Sequence, residues 1–295
     1  MTVTADPVPW RFDAIGTAWS VETPEPVGDD ERAQVHALIA RFDLAWSRFR
    51  DDSLVTRMSR EAGRYRLPDE ADALLGLYRD LHEATGGRMS PLVGRTLETL
   101  GYDRDYRLIP AAAPAPVPAW EDTLAWDGTH LTLLTPALLD VGAAGKGLLV
   151  DLVSDLLAEL GHPDSVVDAS GDLRIRGRGT GGRLPERIAL EHPRDPRKAI
   201  GVARLGVGAL AASASNRRAW RDVHHVLDGI TGLPTRDVIA TWAIADSALA
   251  ADGLATALFF TSGEDLSGVY SFEWVRMFRD GRAQSSPGFD GELFT

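Results

Sequence analysis

Between about Arg32 and Phe49 the apolar residues Val35, Leu38, Ile39, Phe42, Trp46 and Phe49 recur every three or four positions. That spacing predicts an amphipathic helix with one face turned to a core. A second helix fits Ala71 to Thr85, with Leu74, Leu75, Tyr78 and Leu81 inward. Gly86-Gly87 ends it, because glycine accepts the left-handed conformation that closes helices. Residues Ile109 to Pro118 are rich in proline and alanine and read as a loop or stiff local linker.

Leu131 to Leu139 is strand-like or buried, and a glycine-rich turn, Asp140 to Gly147, leads from it into a helix through Leu160. Strands are then expected at Val166-Val167, Arg187 to Leu190, Ala199 to Val202, Gly206 to Ala211, Val223 to Leu227 and Val238 to Ala245. A helix from about Ser247 to Phe260 follows, and Ser271 to Phe278 with the Asp280-Gly281 turn forms a late hairpin. Helices followed by clustered strands place the chain in the α+β class.

Composition narrows the functions available. With no cysteine in 295 residues, disulfides, thiolate metal sites and cysteine nucleophiles are excluded. A formal charge of -12 lacks the basic footprint that nucleic acid requires. It does not exclude a small phosphorylated ligand, whose charge a divalent cation can balance. The N-terminal stretch Met1 to Ser20 has neither a basic start nor an apolar core of signal-peptide type, and no apolar run reaches membrane length. These features predict a cytoplasmic protein without membrane insertion.

Several short segments carry candidate chemistry. The turn DVGAAGKG, Asp140 to Gly147, offers backbone N–H groups and a helix N-terminus to an anion, with Lys146 within reach of a phosphate. It lacks the GxxxxGK[ST] pattern, and a tight turn bearing an exposed lysine reads the same way. In ADGLATA, Asp252 and Thr256 stand four apart, so a helix presents both oxygens on one face. Carboxylate and hydroxyl suit Mg²⁺, although a helix-start aspartate with a buried threonine has the same sequence. His224 and His225 alternate on a predicted strand, so one can enter a site while the other points away. No HExxH spacing supports zinc. Ser170-Gly171-Asp172 combines a close backbone approach with a carboxylate. Trp19, Trp46 and Phe49 could stack a flat ring, with core packing favoured for Trp46. Ser213 and Ser215 sit in no GxSxG elbow.

Taken in order, these segments resemble the ApbE family of FAD:protein FMN transferases. The resemblance runs from AIGTAW (Ala14 to Trp19) through AWSRFRDDSLVTRM (Ala45 to Met58), DVGAAGKG and ASGDL (Ala169 to Leu173). It continues through ASAS (Ala212 to Ser215) and HHVLDGITGLP (His224 to Pro234) to ADGLATALFF (Ala251 to Phe260). It implies one α+β unit over residues 1–295, with tandem T-fold-like halves and additional helices. It further implies Mg²⁺-dependent transfer of FMN from FAD to a threonine or serine hydroxyl of an acceptor flavoprotein. A phosphoester forms and AMP is released.

Under this resemblance Asp252 and Thr256 are side-chain metal ligands, and Ala143 lends its backbone carbonyl. Asp140 and Lys146 match FAD-contacting positions, with Lys146 also a catalytic candidate. Ile15 stands where the family often has methionine and Phe49 where it often has tyrosine, both lining the cleft. His225, followed by Val226, is the candidate acid/base group. Three motifs depart from the family: Met89-Ser90-Pro91 replaces Phe-Asp-Pro, Ser170-Gly171-Asp172 replaces Gly-Gly-Asp, and Asp228-Gly229 replaces Asp-Pro. Met89, Ser90 and Asp172 keep their ligand-facing places. Two other activities fit the same motifs: Mg²⁺-dependent FAD pyrophosphatase chemistry, with water as acceptor, and non-catalytic flavin binding.

Overall fold

A computed structural model describes residues 9–179 and 184–294. Residues 1–8 of the stretch read for a targeting signal lie outside them. The framework is an eight-stranded antiparallel sheet whose spatial order follows the chain. Its strands are β1 (Trp10–Ala14), β2 (Thr17–Glu22), β3 (Ser165–Asp168), β4 (Asp172–Arg176), β5 (Gly208–Ala214), β6 (Val238–Ala245), β7 (Glu273–Phe278) and β8 (Ala283–Ser285). β1 and β2 were not legible as strands. They pair from Trp10↔Val21 to Ala14↔Thr17, leaving Ile15 and Gly16 as a two-residue turn with φ of 47° and 75°. Tight hairpins need positive φ at both turn residues, which glycine accepts and a β-branched isoleucine adopts only under strain.

Four longer helices lie on one face: α1 (Asp29–Trp46), α2 (Ala71–Ala84), α3 (Gly145–Glu159) and α4 (Ala248–Ala257). Strand alternation separates the two faces. Ala209 and Ala211 of β5 and Ala243 and Ala245 of β6 join the helical core, whereas Leu210 and Trp242 join a second core on the other face. A three-stranded sheet built from Glu186–Glu191, Ala199–Leu205 and Gly291–Leu293 contributes to that second core. Small side chains on the helical face let α4 lie close to β5 and β6. There Thr241 Oγ1 donates to the Ala255 carbonyl at 2.6 Å.

Some predicted elements end early. α1 stops at Trp46 because Ser47 turns to extended backbone, so Phe49 falls beyond the helix. Trp46 is core, at 3% exposure. The strand expected from Val223 to Leu227 is reduced to Val223–His224, paired with Ala219–Trp220. Of the Leu131–Leu139 run, only its first three residues are strand, within His130–Leu133, and Ala137 to Leu139 are buried without regular structure. Among the described residues no helix is long and apolar enough to cross a membrane.

Candidate active site

α4 is the centre of the site. Its sequence, ALAADGLATA, is buried along most of its length, and two glycine positions allow that packing. A Cβ on Gly253 would come 2.7 Å from Leu77 of α2, and one on Gly147 would collide with the Ala248 carbonyl and the Asp252 side chain. α4 is therefore wedged between α2 and α3, with Asp252 and Thr256 at 5% and 8% exposure. Asp252 Oδ2 accepts the N–H of Gly147 at 2.9 Å, and Thr256 Oγ1 lies 3.5 Å from Ser213 Oγ on β5.

Asp252 faces a second buried carboxyl. Asp172, 1% exposed at the start of β4, lies close enough for its charge to act on Asp252. Burial, and then the Asp172 charge, hold Asp252 well above the usual carboxylate range. Burial also raises Asp172, against the opposing charge of Lys146. Lys146 Nζ lies 2.9 Å from Asp172 Oδ2 and donates to the Ala169 carbonyl at 2.7 Å. The ammonium expected to reach a phosphate is thus engaged by Asp172 and the Ser170-Gly171 turn.

The turn before α3 is held by two distant segments of the chain. Asp140 N donates to the Pro91 carbonyl at 2.8 Å, and Asp140 Oδ1 accepts the Gly142 N–H at 2.8 Å. Arg48, 2% exposed just past α1, donates through Nε to Asp140 Oδ2 at 2.5 Å and through Nη1 to the Tyr102 carbonyl at 2.7 Å. Burial would raise the Asp140 carboxyl, but the Arg48 charge and the Gly142 N–H together hold it below the usual range. The Gly147 N–H is spent on Asp252, so the carbonyl of Ala143, four residues earlier, lacks that helical donor.

These groups border a cleft of about 560 Å³, partly open to solvent. Of the residues named from the sequence, Met89, Ser90, Asp140, Ala143, His225, Val226 and Thr256 line it. Asp252, Lys146 and Asp172 stand behind this lining, linked to it through the Gly147 amide and α4. Two expected lining residues sit elsewhere. Ile15 occupies the β1–β2 turn, and Phe49 stacks on Tyr106, with ring centres 5.5 Å apart, beneath the Arg48 guanidinium. Phe49 is beyond α1, where the chain turns Arg48 inward instead.

Sequence reasoning assigned no site role to Arg48, Tyr78, Tyr102, Arg218 or Phe260. Tyr102, Arg218 and Phe260 line the cleft, while Arg48 and Tyr78 brace its wall. The only available signal was an arginine beside an aromatic in the Ser47-Arg48-Phe49 segment. The partners lie far away in the chain, so spacing could not reveal them.

The histidines diverge, though not by strand alternation. His224 Nε2 lies 2.7 Å from the Thr235 carbonyl, whereas His225 enters the cleft and its buried Nδ1 has no hydrogen-bond partner among the described residues. Burial, then the Arg218 charge, lowers His225 to about 3. The near-neutral titration expected of a free imidazole is therefore absent from this protein environment, and His225 is neutral at physiological pH.

Among the described residues no group of three or more His, Cys, Asp or Glu side chains is placed to hold a metal ion. The candidate set is different in kind: one carboxylate, one hydroxyl and one backbone carbonyl. All three are hard oxygen donors of the type Mg²⁺ takes alongside phosphate and water. A buried Asp252 carboxyl raised by burial and by the neighbouring Asp172 charge is an electrostatic match for a divalent cation.

The sequence model of the ApbE family matches residues 15–271, which include every one of these groups. The chain belongs to the ApbE family. An FAD:protein FMN transferase of Rhodobacter capsulatus is 28% identical over 285 residues, covering 90% of this chain and 53% of that protein. This ApbE chain thus spans about half the length of that relative. An FAD:protein FMN transferase of Vibrio cholerae is 25% identical, over 85% of this chain and 80% of its own. Among solved structures, the ApbE protein of Thermotoga maritima superposes with a TM-score of 0.84 at 23% identity, covering 97% of this chain and all of that one. The flavin transferase ApbE of Vibrio cholerae gives 0.79 at 23% identity, over 96% and 97% of the two chains. The α+β fold is therefore that of known ApbE structures.

Proposed function

We propose that this chain transfers FMN from FAD to a threonine or serine hydroxyl of an acceptor flavoprotein, releasing AMP, with Mg²⁺ as cofactor. The observation that carries the reading is the convergence of Ala143, Thr256 and His225 on one cleft, with the Asp252 carboxyl directly behind. The relatives with the same activity in their names support it.

Asp252, Thr256 and the Ala143 carbonyl would hold Mg²⁺. When bound, the ion supplies Lewis-acid stabilisation of pyrophosphate oxygens. Apolar Met89, Val226 and Phe260 provide a surface for a flat ring, and Arg218 offers a cation at the same cleft. Lys146 holds Asp172 and the Ser170-Gly171 turn in place and adds positive charge beside the acidic pair.

In the transfer step the acceptor oxygen bonds to the FMN phosphorus as the bond to the AMP oxygen breaks. The hydroxyl proton leaves to a base, and His225 is the candidate because its Nδ1 has no hydrogen-bond partner among the described residues. A phosphate anion near Arg218 would offset one of the charges that depress His225 and make it a better proton acceptor.

The test is mass spectrometry of an acceptor flavoprotein incubated with this protein, FAD and Mg²⁺, with AMP quantified and an EDTA control. Covalent FMN matched by AMP, both absent in EDTA, supports the transferase. AMP and free FMN on an otherwise competent acceptor would show that water is the acceptor instead. FAD left intact would make the chain a flavin-binding protein and overturn the reading.

A further inference from the structure

Tyr78 is fully buried on α2 and belongs to the main hydrophobic core, yet its hydroxyl leaves that core for the turn before α3. The oxygen donates to the Asp140 carbonyl at 3.4 Å and accepts the Ala143 N–H at 3.2 Å. One atom thus spans both ends of the Asp140–Ala143 turn, from 62 and 65 positions away in the chain. Phenylalanine would fill the same space. A buried hydroxyl is costly unless its hydrogen bonds are met, and here they are met by the turn.

The turn needs such a brace for a specific reason. Ala143 stands just before α3, and the amide that would tie its carbonyl into the helix, that of Gly147, bonds to Asp252 instead. Tyr78 is the hydrogen-bond partner of the half-buried Ala143 amide.

We propose that Tyr78 is a positioning residue for a divalent cation, its hydroxyl setting the Ala143 backbone so that the Ala143 carbonyl, Asp252 and Thr256 converge on the ion. The inference rests on the cation-dependent reading of the site and deepens it. Groups that orient metal ligands without touching the metal commonly govern affinity about tenfold or more when removed.

The test is Mn²⁺ binding to the full chain, followed by electron paramagnetic resonance, in wild type and Tyr78→Phe. The Mg²⁺ dependence of AMP release from FAD is measured in parallel. The expected result is a Kd for Mn²⁺ raised about tenfold in Tyr78→Phe, with turnover recovered at saturating Mg²⁺. A purely structural role would lower the melting temperature and leave the Kd unchanged, and that outcome overturns the proposal. Failure of wild type to bind Mn²⁺ would overturn the cation reading itself, and the inference with it. Amide exchange of Ala143 in wild type supplies a check that needs no variant: protection is expected, and exchange at the rate of an open loop would remove the brace.

Discussion

Arg48 Nε and Asp140 Oδ2 form a 2.5 Å ion pair with the arginine 2% exposed, joining the end of α1 to the turn that begins α3. Breaking a buried pair by removing one partner strands the other charge, at a cost of about 3–5 kcal/mol. Arg48→Met is expected to lose stability of that order in urea unfolding. Asp140 is held below the ordinary aspartate range, so its contribution is present above that range and lost as pH falls through the lower folded value. The variant should accordingly show a shallower acid limb of stability than wild type. Equal urea midpoints for the two proteins would mean that the pair is not a brace.

Asp252 works in the opposite sense. Its folded value is raised, chiefly by burial, so the metal-free fold binds a proton that the unfolded chain releases. Stability without metal is full below the ordinary aspartate value and declines as pH rises through the folded one. Asp252→Asn removes this slope. Calorimetry between pH 5 and 8 should find metal-free Asp252→Asn at least as stable as wild type, yet lacking the wild-type rise in melting temperature with Mg²⁺ and releasing no AMP. An equal Mg²⁺ response in the variant would remove Asp252 from the ligand set.

His225, lowered to about 3, is neutral across the physiological range. A group lowered in the fold costs stability as pH falls from its ordinary value toward the folded one. Titration of the His225 ring by NMR should show no inflection between pH 5 and 8 in wild type. Arg218→Gln removes the second cause after burial and should shift the inflection upward without restoring the free-imidazole value. A wild-type inflection near 6.5 would contradict the burial described here.

Gly147→Ala tests the contact between α3 and α4 while leaving every proposed ligand intact. Its methyl would meet the Ala248 carbonyl and the Asp252 side chain, so the helices must separate. Overpacking of this kind costs about 1–3 kcal/mol. The variant should melt lower and also lose Mg²⁺ affinity, because the amide that fixes Asp252 moves with the helix. Unchanged affinity in a destabilised protein would separate packing from ligand geometry.

Local pattern carried much of the framework. Helical spacing placed α1, α2, α3 and α4 within a few residues, and β6 was read at its observed ends, Val238 to Ala245. β1 and β2 escaped because a short edge hairpin turned by Ile15-Gly16 lacks a long alternating pattern. The ordered motifs also indicated the cleft, since Ala143, His225, Val226 and Thr256 meet there.

Residue type and spacing along the chain therefore determined the four longer helices and several strands, the helical face shared by Asp252 and Thr256, and the motif order of the family. Only tertiary structure decided which charges are neutralised and which are stranded. Lys146 turns to Asp172, Arg48 to Asp140, and Tyr78 crosses to Ala143 over distances of 26, 92 and 65 residues. The protonation of His225 and Asp252 likewise follows from burial and from charges brought near by folding. Electrostatic energy depends on separation in space and on exclusion of water, neither of which is written in a local sequence pattern.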